Sequence, residues 1–557
     1  MKRTLNVSLA WLVILAMLLS GCGVIQSAIT PPVAMTIVYG SEKQDWLVPL
    51  IQQFNTEKHK TDKGAVIQVQ GTALGSIDAI NQMLAGQIEP TVWSPASSLY
   101  IPVAQAQWSQ KFGKDLTTSA PKDLVLSPVV IAMWKPMAEA LGWPQKALGW
   151  ADVAALATSD KGWEAYGYPE WGAFAFGHTH PGYSNSGLVA ALAEVYAGAG
   201  KQRGLTQADL QDDKVKAFVG NVESSIIHYG TSTGFFGDRM FQRGPSYLSA
   251  AVLYENLVAA QESKRLAGQS QQLPVVAIYP KEGTFIANHP YIILNAPWVT
   301  ADQQSAANVF QAYLLDKPQQ LKAMELGFRP SDVSIPFGAP LDAQHGVDTS
   351  QPQTTLEIPS AQVIQGVEDL WKEVKKPVDV TVVMDISGSM EGDKINSARQ
   401  SLIQFISLLD DKDRLQLMTF NDKIRTLVQL APVGEKRADD IRRVSGIVEG
   451  GGTALYDAVA QAYQDLQANG DPKHIRGIVV LTDGQDTAST QNTLDQLVST
   501  IGQNSESGGS IKVFTIAFGS DADKSVLQQI ANPTGGQEYD SDPQNINAVY
   551  ADIATFF

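Results

Sequence analysis

Cysteine is almost absent from this chain of 557 residues, which contains only Cys22. A single thiol cannot form an intramolecular disulfide or a zinc cluster built from cysteines. Because Cys22 lies beside an N-terminal apolar segment, it offers no internal thiol nucleophile either. The sequence therefore excludes these three chemistries.

Positive charge is also scarce. The chain carries 41 Lys and Arg residues against 57 Asp and Glu residues, for a formal net charge of −16. Nucleic-acid binding and attachment through a polybasic membrane patch both need clustered positive charge. The charge balance argues against both classes of partner.

Long apolar runs are absent beyond the first two dozen residues. Lys2 and Arg3 precede an apolar run from Leu9 to Leu19, which is shorter than the roughly 20 residues that a membrane span needs. Residues 1–21 are therefore predicted to be an export signal, with a transmembrane helix as the alternative. Leu19-Ser20-Gly21-Cys22 resembles the bacterial lipoprotein signal, which implies cleavage before Cys22 and lipidation of its thiol.

The composition of the chain limits the classes of fold that it can adopt. Hydrophobic residues make up 44% and charged residues 18%, which is typical of globular protein with sizeable cores. We predict a spacer over residues 22–35, a first domain over 36–346, a linker and helix over 347–376, and a last domain over 377–557. All of these segments would be extracytoplasmic and anchored to the membrane through the lipid.

The stretch Val378–Met390 predicts a metal site. Its β-branched and apolar residues indicate a buried strand, which ends in Asp385 and is followed by Ser387 and Ser389. Ligands of parallel α/β sheets bind outside the carboxyl ends of the strands, and oxygen donors suit Mg²⁺. Taken alone, the pattern is equally typical of a capped helix start.

Two later segments supply further oxygen donors. Thr453 follows three glycines, and Asp483 follows the apolar run 478–481. The order DISGSM, GGTALYDA, VVLTDGQD resembles the von Willebrand factor A domain and its metal-ion-dependent adhesion site. This resemblance implies a doubly wound, mostly parallel Rossmann-like sheet with one antiparallel edge strand. It also implies Mg²⁺, or Mn²⁺ or Ca²⁺, held by the matching residues Asp385, Ser387, Ser389, Thr453 and Asp483.

The first domain alternates short strands with helices, which predicts an α/β architecture with two lobes. Small polar residues lie at several of the expected strand-to-helix joints, where exposed N–H groups favour anionic or oxygen-rich ligands. Plain helix capping is the alternative. The candidate cleft residues, including one tryptophan at a strand end, are Ser41, Thr72, Ser76, Trp93, Ser94, Ser97, Ser184 and Ser186.

This domain resembles the type II extracytoplasmic solute-binding proteins of ABC importers. The resemblance is carried by the lipoprotein start, Gly40-Ser41, HPGYSNSG at His180–Gly187, and VVAIYPKEGTF at Val275–Phe285. It implies two α/β lobes that close on a small-molecule solute by a hinge.

The pair His178 and His180 invites a metal interpretation. Two histidines at i and i+2 in a turn, without a nearby carboxylate or cysteine in the sequence, are more often structural. We therefore expect no metal at these histidines.

Residues 339–359 are rich in Pro, Gln, Thr and Asp and are predicted to form a linker. Ser360 is expected to cap the following helix. An apolar stripe on this helix is expected to pack on the last domain; it comprises Val363, Val367, Leu370, Trp371 and Val374.

The sequence predicts a non-enzymatic lipoprotein of the cell envelope. No HExxH zinc motif or phosphate loop occurs, and a site of hydroxyls and two acids lacks a general base. By resemblance, the last domain would bind a partner protein's carboxylate through the metal. The alternative is the substrate-binding component of an ABC importer, in which the last domain serves assembly or spacing.

Overall fold

The computed structural model describes residues 31–502 and 511–554. The predicted signal segment over residues 1–21 and the lipidation site Cys22 lie outside the described residues. Within the described ranges, every helix is too short or too polar to cross a membrane.

The first domain contains twelve strands among the described residues. Their bounds are β1 Val33–Tyr39, β2 Ile67–Ala73, β3 Val92–Ser94, β4 Lys122–Asp123, β5 Val125–Trp134, β6 Phe176–Thr179, β7 Ile226–Gly230, β8 Ala250–Tyr254, β9 Val275–Ile278, β10 Ile286–Ala287, β11 Pro290–Ile293 and β12 Arg329–Pro330.

Helices connect these strands, and one more follows the domain. Their bounds are α1 Gln44–Glu57, α2 Ser76–Ala85, α3 Ile101–Phe112, α4 Lys135–Ala140, α5 Trp150–Ala157, α6 Asn185–Ala199, α7 Gln207–Leu210, α8 Asp213–Glu223, α9 Thr233–Arg243, α10 Glu255–Leu266, α11 Ala301–Leu315, α12 Lys317–Glu325 and α13 Ala361–Val374.

Two sheets divide the first domain into two lobes. Lobe 1 is built on the order β2-β1-β3-β11-β4, and lobe 2 on β10-β5-β8-β6-β7, with β9 and β12 also paired to β5. The chain passes between the lobes three times, at β4–β5, at β10–β11 and between β11 and β12, because each pair of consecutive strands belongs to different sheets. The predicted two-lobed α/β fold is confirmed.

The sequence also predicts single helices over 208–222 and 247–267 in this domain, and both segments are divided in the structure. The segment 247–267 was expected to be one helix, but β8 occupies its first part and α10 its second. Ala250–Tyr254 is fully buried between neighbouring strands, and its alanines resemble a helical sequence. The expected helix over 208–222 is split into α7 and α8, since Asp212 caps a new start by accepting from Lys214 N–H.

The last domain has a single six-stranded sheet with helices on both faces. Its strands are β13 Val378–Asp385, β14 Arg414–Phe420, β15 Ile424–Pro432, β16 Ile475–Thr482, β17 Lys512–Phe518 and β18 Glu538–Ser541. Its helices are α14 Asp393–Leu408, α15 Arg437–Ser445, α16 Leu455–Asn469, α17 Leu494–Gly502, α18 Lys524–Ala531 and α19 Ile546–Ala554.

The strand order of this sheet is β15-β14-β13-β16-β17-β18. All neighbours pair in parallel except β14 and β15, which form the expected antiparallel edge. Every residue of β13 is buried, and Val382 and Val383 belong to apolar clusters on opposite faces. Burial on both faces explains the apolar run Val382, Val383 and Met384 in this strand, although Asp379 and Thr381 are buried within it as well.

Residues 339–359 lie against lobe 2 instead of forming a free linker. Leu341, Val347 and Leu356 are buried. Leu356 N–H donates to Thr284 O at 2.9 Å, and Thr284 N–H donates to Thr354 O at 3.1 Å. Polar composition concealed this contact because backbone groups, rather than side chains, make much of it.

The apolar stripe of α13 packs on the preceding domain, and the expectation that it packs on the last domain is wrong. Ser360 does cap the helix, its Oγ accepting from Val363 N–H at 3.4 Å. The helix contacts α6, α7 and α8 of lobe 2 and also α3 of lobe 1. Trp371 lies edge-on to His180 and Tyr229, with ring centroids 4.7 and 5.1 Å apart.

Helix α9 of lobe 2 also contacts the last domain. The guanidinium of Arg243 donates to Gly536 O at 2.9 Å and to the neighbouring Gly535 O. Arg239 donates to the side-chain oxygen of Gln537 at 2.5 Å. Together with α13, these bonds hold the last domain on lobe 2.

We expect Trp371→Ala to lower the free energy of unfolding by about 3–5 kcal/mol, because a fully buried indole is replaced by a cavity. Urea unfolding followed by circular dichroism measures the loss. Trp371→Phe is the matched control, since it keeps most of the volume and removes only an indole N–H without a hydrogen-bond partner among the described residues. Equal, small losses in both variants would contradict this role for Trp371.

Candidate functional site

Asp385 ends β13 with a fully buried side chain. Its Oδ1 accepts from Ser387 N–H at 2.7 Å, and its Oδ2 accepts from the hydroxyl of Thr482 at 2.5 Å. Thr482 is the last residue of β16, which lies beside β13, so the carboxylate is fixed by two strand ends. Its position follows from the parallel pairing of these strands.

Ser387, Ser389 and Asp483 form a continuous hydrogen-bonded chain. The two serine hydroxyls are 3.0 Å apart, and Ser389 Oγ donates to Asp483 Oδ1 at 2.7 Å. Asp483 is fully buried and directly follows β16. The predicted residues of the first and third segments therefore meet at one edge of the sheet.

Thr453 completes the group from the glycine-rich segment. A Cβ built on Gly484 would lie 3.8 Å from Ser389 Oγ and 3.9 Å from Thr453 Oγ1, which places both hydroxyls beside the same residue. Gly388 N–H donates to Gly451 O at 3.0 Å, and Gly451 has a φ of +96°, which favours glycine. This backbone contact holds the Thr453 loop against the first one.

Lys394, in the first turn of α14, is a site residue that the sequence did not indicate. Its Nζ donates to Asp483 Oδ2 at 2.6 Å and lies 3.9 Å from Asp521 Oδ2. The lysine thus balances the charge of a buried carboxylate. Nothing in its local sequence marks it, since lysine is common on helix surfaces.

The donor chemistry of this edge suits a hard divalent cation. It comprises two carboxylates and three hydroxyls, all oxygen donors as Mg²⁺ prefers. Burial, with a smaller contribution from Asp483, raises the pKa of Asp385 to about 6. A buried carboxylate that resists ionisation in this way is stabilised by a nearby positive charge.

In the first domain, the helix starts that were expected to face a solute are capped by the opposite lobe. The N–H groups of Ile77 and Asp78, at the start of α2 in lobe 1, donate to Tyr183 O of lobe 2 at 3.1 and 2.9 Å. In return, Ser41 Oγ of lobe 1 accepts from Gly234 N–H at the start of α9 at 2.9 Å. A Cβ on Gly75 would lie only 2.4 Å from Tyr183 O, so the lobes are in close contact.

Three predicted cleft hydroxyls bond to protein side chains that the sequence did not indicate. Ser97 Oγ donates to Asn185 Oδ1 across the lobes at 2.6 Å. Within lobe 2, Thr233 Oγ1 lies 3.3 Å from Ser184 Oγ and 2.8 Å from Ser186 Oγ. Protein groups therefore satisfy these hydroxyls in this conformation.

The remaining predicted cleft residues lie elsewhere. Ser76 Oγ accepts from Ala96 N–H at 2.9 Å within lobe 1. Trp93 and Ser94 are fully buried in β3, and Thr72 is an exposed residue of β2, which extends further than the sequence indicated. Trp93 packs in the core, as tryptophan most often does.

A buried ionic group lies beside this interface. Lys43 Nζ is 2.7 Å from Glu42 Oε1 and 3.2 Å from His289 Nδ1, and all three side chains are inaccessible or nearly so. Burial of the ring, with the nearby Lys43 charge, lowers the pKa of His289 to about 4. A neutral His289 therefore accepts from an ammonium that already pairs with Glu42.

Gly230-Thr231-Ser232-Thr233-Gly234 fits the Gly-x-Ser-x-Gly pattern between β7 and α9, which the sequence reasoning overlooked. Ser232 Oγ lies 2.5 Å from Ser41 Oγ and is almost fully buried. Its hydroxyl joins the two lobes, and its observed partner is another serine rather than a base.

Family models match both domains. The model described as bacterial extracellular solute-binding protein matches residues 35–329, and the von Willebrand factor type A domain model matches residues 379–550. The first match covers more than half of the chain.

Several proteins are similar to this chain. An uncharacterized protein of Mycobacterium tuberculosis strain H37Rv is 26% identical over 513 residues, covering 84% of this chain and 68% of its own length. Human inter-alpha-trypsin inhibitor heavy chain H4 is 30% identical over 173 residues, 29% of this chain and 18% of that protein. The solved periplasmic thiamin binding protein, with a TM-score of 0.43 and 12% identity, covers 62% of this chain and 96% of its own. The chain belongs to the bacterial extracellular solute-binding protein family, and a von Willebrand factor type A domain follows its solute-binding domain.

Proposed function

We propose that this protein is a non-enzymatic, lipid-anchored receptor of the cell envelope that captures a partner protein through Mg²⁺ at the edge of the C-terminal sheet. One observation carries the proposal: oxygens of Ser387, Ser389, Thr453 and Asp483, from three loops, lie beside one another. Asp385 adjoins this group through its bond from Ser387 N–H. Mn²⁺ would fit the same donors, and Ca²⁺ would fit them less closely because it takes more ligands.

Each residue has a distinct role in this proposal. Ser387, Ser389 and Thr453 would offer hydroxyl oxygens directly, while Asp385 and Asp483 would act directly or through water. A bound Mg²⁺ would supply positive charge that two carboxylates neutralise only in part and that an incoming carboxylate completes. When the metal binds, Lys394 would either release Asp483 Oδ2 or continue to donate a hydrogen bond to it.

The solute-binding domain supports a small-molecule ligand as a second function. The alternative assignment, a substrate-binding component of an ABC importer, rests on this family membership. A solute entering between the lobes must replace the bond that Gly234 N–H donates to Ser41 Oγ and the bond that Ile77 N–H donates to Tyr183 O. Mutations there would abolish uptake under the importer assignment, while mutations around Asp385 would not.

Lipid attachment at Cys22 is part of the proposal. Mass spectrometry of the protein extracted from its native membrane would test it, because lipidation adds acyl mass to a chain that begins at residue 22. A mature chain without added mass would remove the anchor and leave the binding assignment untouched.

Asp385→Ala should abolish Mg²⁺ binding, because it removes the buried carboxylate at the centre of the donor set. Isothermal titration of Mg²⁺ into the full chain measures the affinity, and circular dichroism checks the fold. Asp413→Ala is the matched control: Asp413 is also buried and accepts from Val378 N–H at 3.0 Å, at the opposite end of β13. Unchanged Mg²⁺ affinity in Asp385→Ala would refute the assignment.

Lys394→Gln should tighten Mg²⁺ binding by about tenfold, because it removes a competing positive charge next to Asp483. The comparison variant Lys63→Gln breaks a second lysine–aspartate pair of the same length, 2.6 Å to Asp302, in the first domain. It should leave the affinity unchanged. Weaker binding in Lys394→Gln would mean that the lysine orients Asp483 instead.

Mg²⁺ affinity should fall as the pH drops below about 6. The pKa of Asp385 is raised to about 6, so protons compete with the metal for this carboxylate in that range. Well below the pKa, one competing proton weakens the apparent affinity about tenfold per pH unit. Titrations at several pH values between 5 and 8 measure the slope, and a flat profile would show that Asp385 ionisation does not control binding.

A further inference from the structure

A second group of potential metal ligands lies inside lobe 2. It contains His178 of β6, Glu194 of α6 and Glu223 at the end of α8, and all three side chains are fully buried. One ligand atom from each lies within 4.8 Å of the others. The fold thus supplies the carboxylates that the sequence near His178 lacks.

The tautomer of His178 favours a cation at its other nitrogen. His178 Nδ1 lies 2.7 Å from Thr179 O, a backbone carbonyl that can only accept, so Nδ1 carries the proton. In the neutral ring, Nε2 then presents a lone pair to Glu223 Oε1 at 2.9 Å. Two acceptors facing each other require either a proton or a metal ion at this position. Metal-binding histidines characteristically donate their second nitrogen to a carbonyl in this way.

Glu194 adds a buried carboxyl group without a hydrogen-bond partner among the described residues. Neither of its carboxylate oxygens has a hydrogen-bond partner within residues 31–502 and 511–554. Glutamate is almost never fully buried unless it is paired. Glu223 is better satisfied, since Tyr229 OH donates to its Oε2 at 2.7 Å. The Lys376 ammonium attracts the Glu223 carboxylate electrostatically, but its hydrogen bond is donated to Ile226 O at 3.2 Å.

We propose that His178, Glu194 and Glu223 bind a divalent transition-metal ion, with Zn²⁺ the best fit. Two carboxylates and a neutral imidazole would balance its charge, leaving the buried site neutral. The mix of one nitrogen and carboxylate oxygens suits Zn²⁺ better than Mg²⁺ or Ca²⁺, which prefer oxygen ligands and more of them. The Tyr229 hydroxyl remains as the donor that orients Glu223.

The position of the group gives the metal a structural role. Tyr229 lies between the metal-ligand group and α13. Its ring centroid is 5.2 Å from that of His178 and 5.1 Å from that of Trp371. The ion would tie β6, α6 and α8 together beneath α13. Because the ligands are inaccessible to solvent, the ion would enter as the chain folds and leave slowly.

The competing explanation is a shared proton. Burial and the Glu223 carboxylate raise the pKa of Glu194 well above its usual range, so Glu194 could remain protonated and donate to Glu223. A proton and a zinc ion would neutralise the same group. Direct metal analysis distinguishes them.

The test uses the full chain with Asp385→Ala, which removes the proposed C-terminal site, produced in medium containing Zn²⁺ and then passed through EDTA. Elemental mass spectrometry should find about one zinc per chain, because a buried ion is retained. Adding Glu194→Gln, which keeps the shape and lets an amide donate to Glu223, should reduce zinc at least about tenfold. The matched control Glu262→Gln should retain it, since buried Glu262 pairs with Arg265 at 2.7 Å away from this group.

Two results of this metal analysis would overturn the proposal. One is the absence of zinc and of every other transition metal from Asp385→Ala, which leaves the shared proton. The other is zinc retained in the Glu194→Gln variant, which places the ion elsewhere. If Glu194→Gln does not fold, X-ray absorption at the zinc edge of Asp385→Ala decides the matter, with one imidazole and oxygen ligands expected. A shell containing several imidazoles would refute the assignment.

Discussion

The buried carboxylate of Asp385 sets the main constraint on the C-terminal domain. A strand covered on both faces delivers this acid to a site without solvent contact, where an unpaired charge is costly. Two neutral donors, Ser387 N–H and Thr482 Oγ1, compensate only part of that cost. The neighbouring acid, Asp483, needs a cation as well and receives Lys394. Two buried acids share one lysine at this edge, and the Mg²⁺ that we propose would supply the remaining positive charge.

The first domain also contains buried polar groups that need partners, but its own lobes supply them. Its helix starts present N–H groups at the interface between the lobes, where a solute's oxygens would normally compensate them. Here Tyr183 O and Ser41 Oγ, each from the opposite lobe, accept from these groups. The interface is therefore self-satisfied in this conformation. A solute gains only the difference between its own bonds and those it replaces.

Sequence reasoning succeeded where the signal was local. Buried strands such as Val378–Asp385 are rich in β-branched and apolar residues, and the residues that follow them occupy one edge by the rules of parallel sheets. It failed where partners are distant in the chain. Ser41 meets Ser232 and Ser97 meets Asn185, so hydroxyls expected to face a solute bond to other side chains of the protein. His178 likewise lacks a carboxylate nearby in sequence, yet Glu223 reaches it 45 residues later. Neither periodicity nor spacing encodes such pairs.

Helix α13 touches both α3 of lobe 1 and three helices of lobe 2, while its C-terminal end leads directly into β13. It therefore connects both lobes of the solute-binding domain to the von Willebrand factor type A domain. A change in the angle between the lobes, as the proposed solute binding would require, would break the contacts of α13 with one lobe. The proposed solute exchange would then also move the last domain, because β13 follows this helix directly.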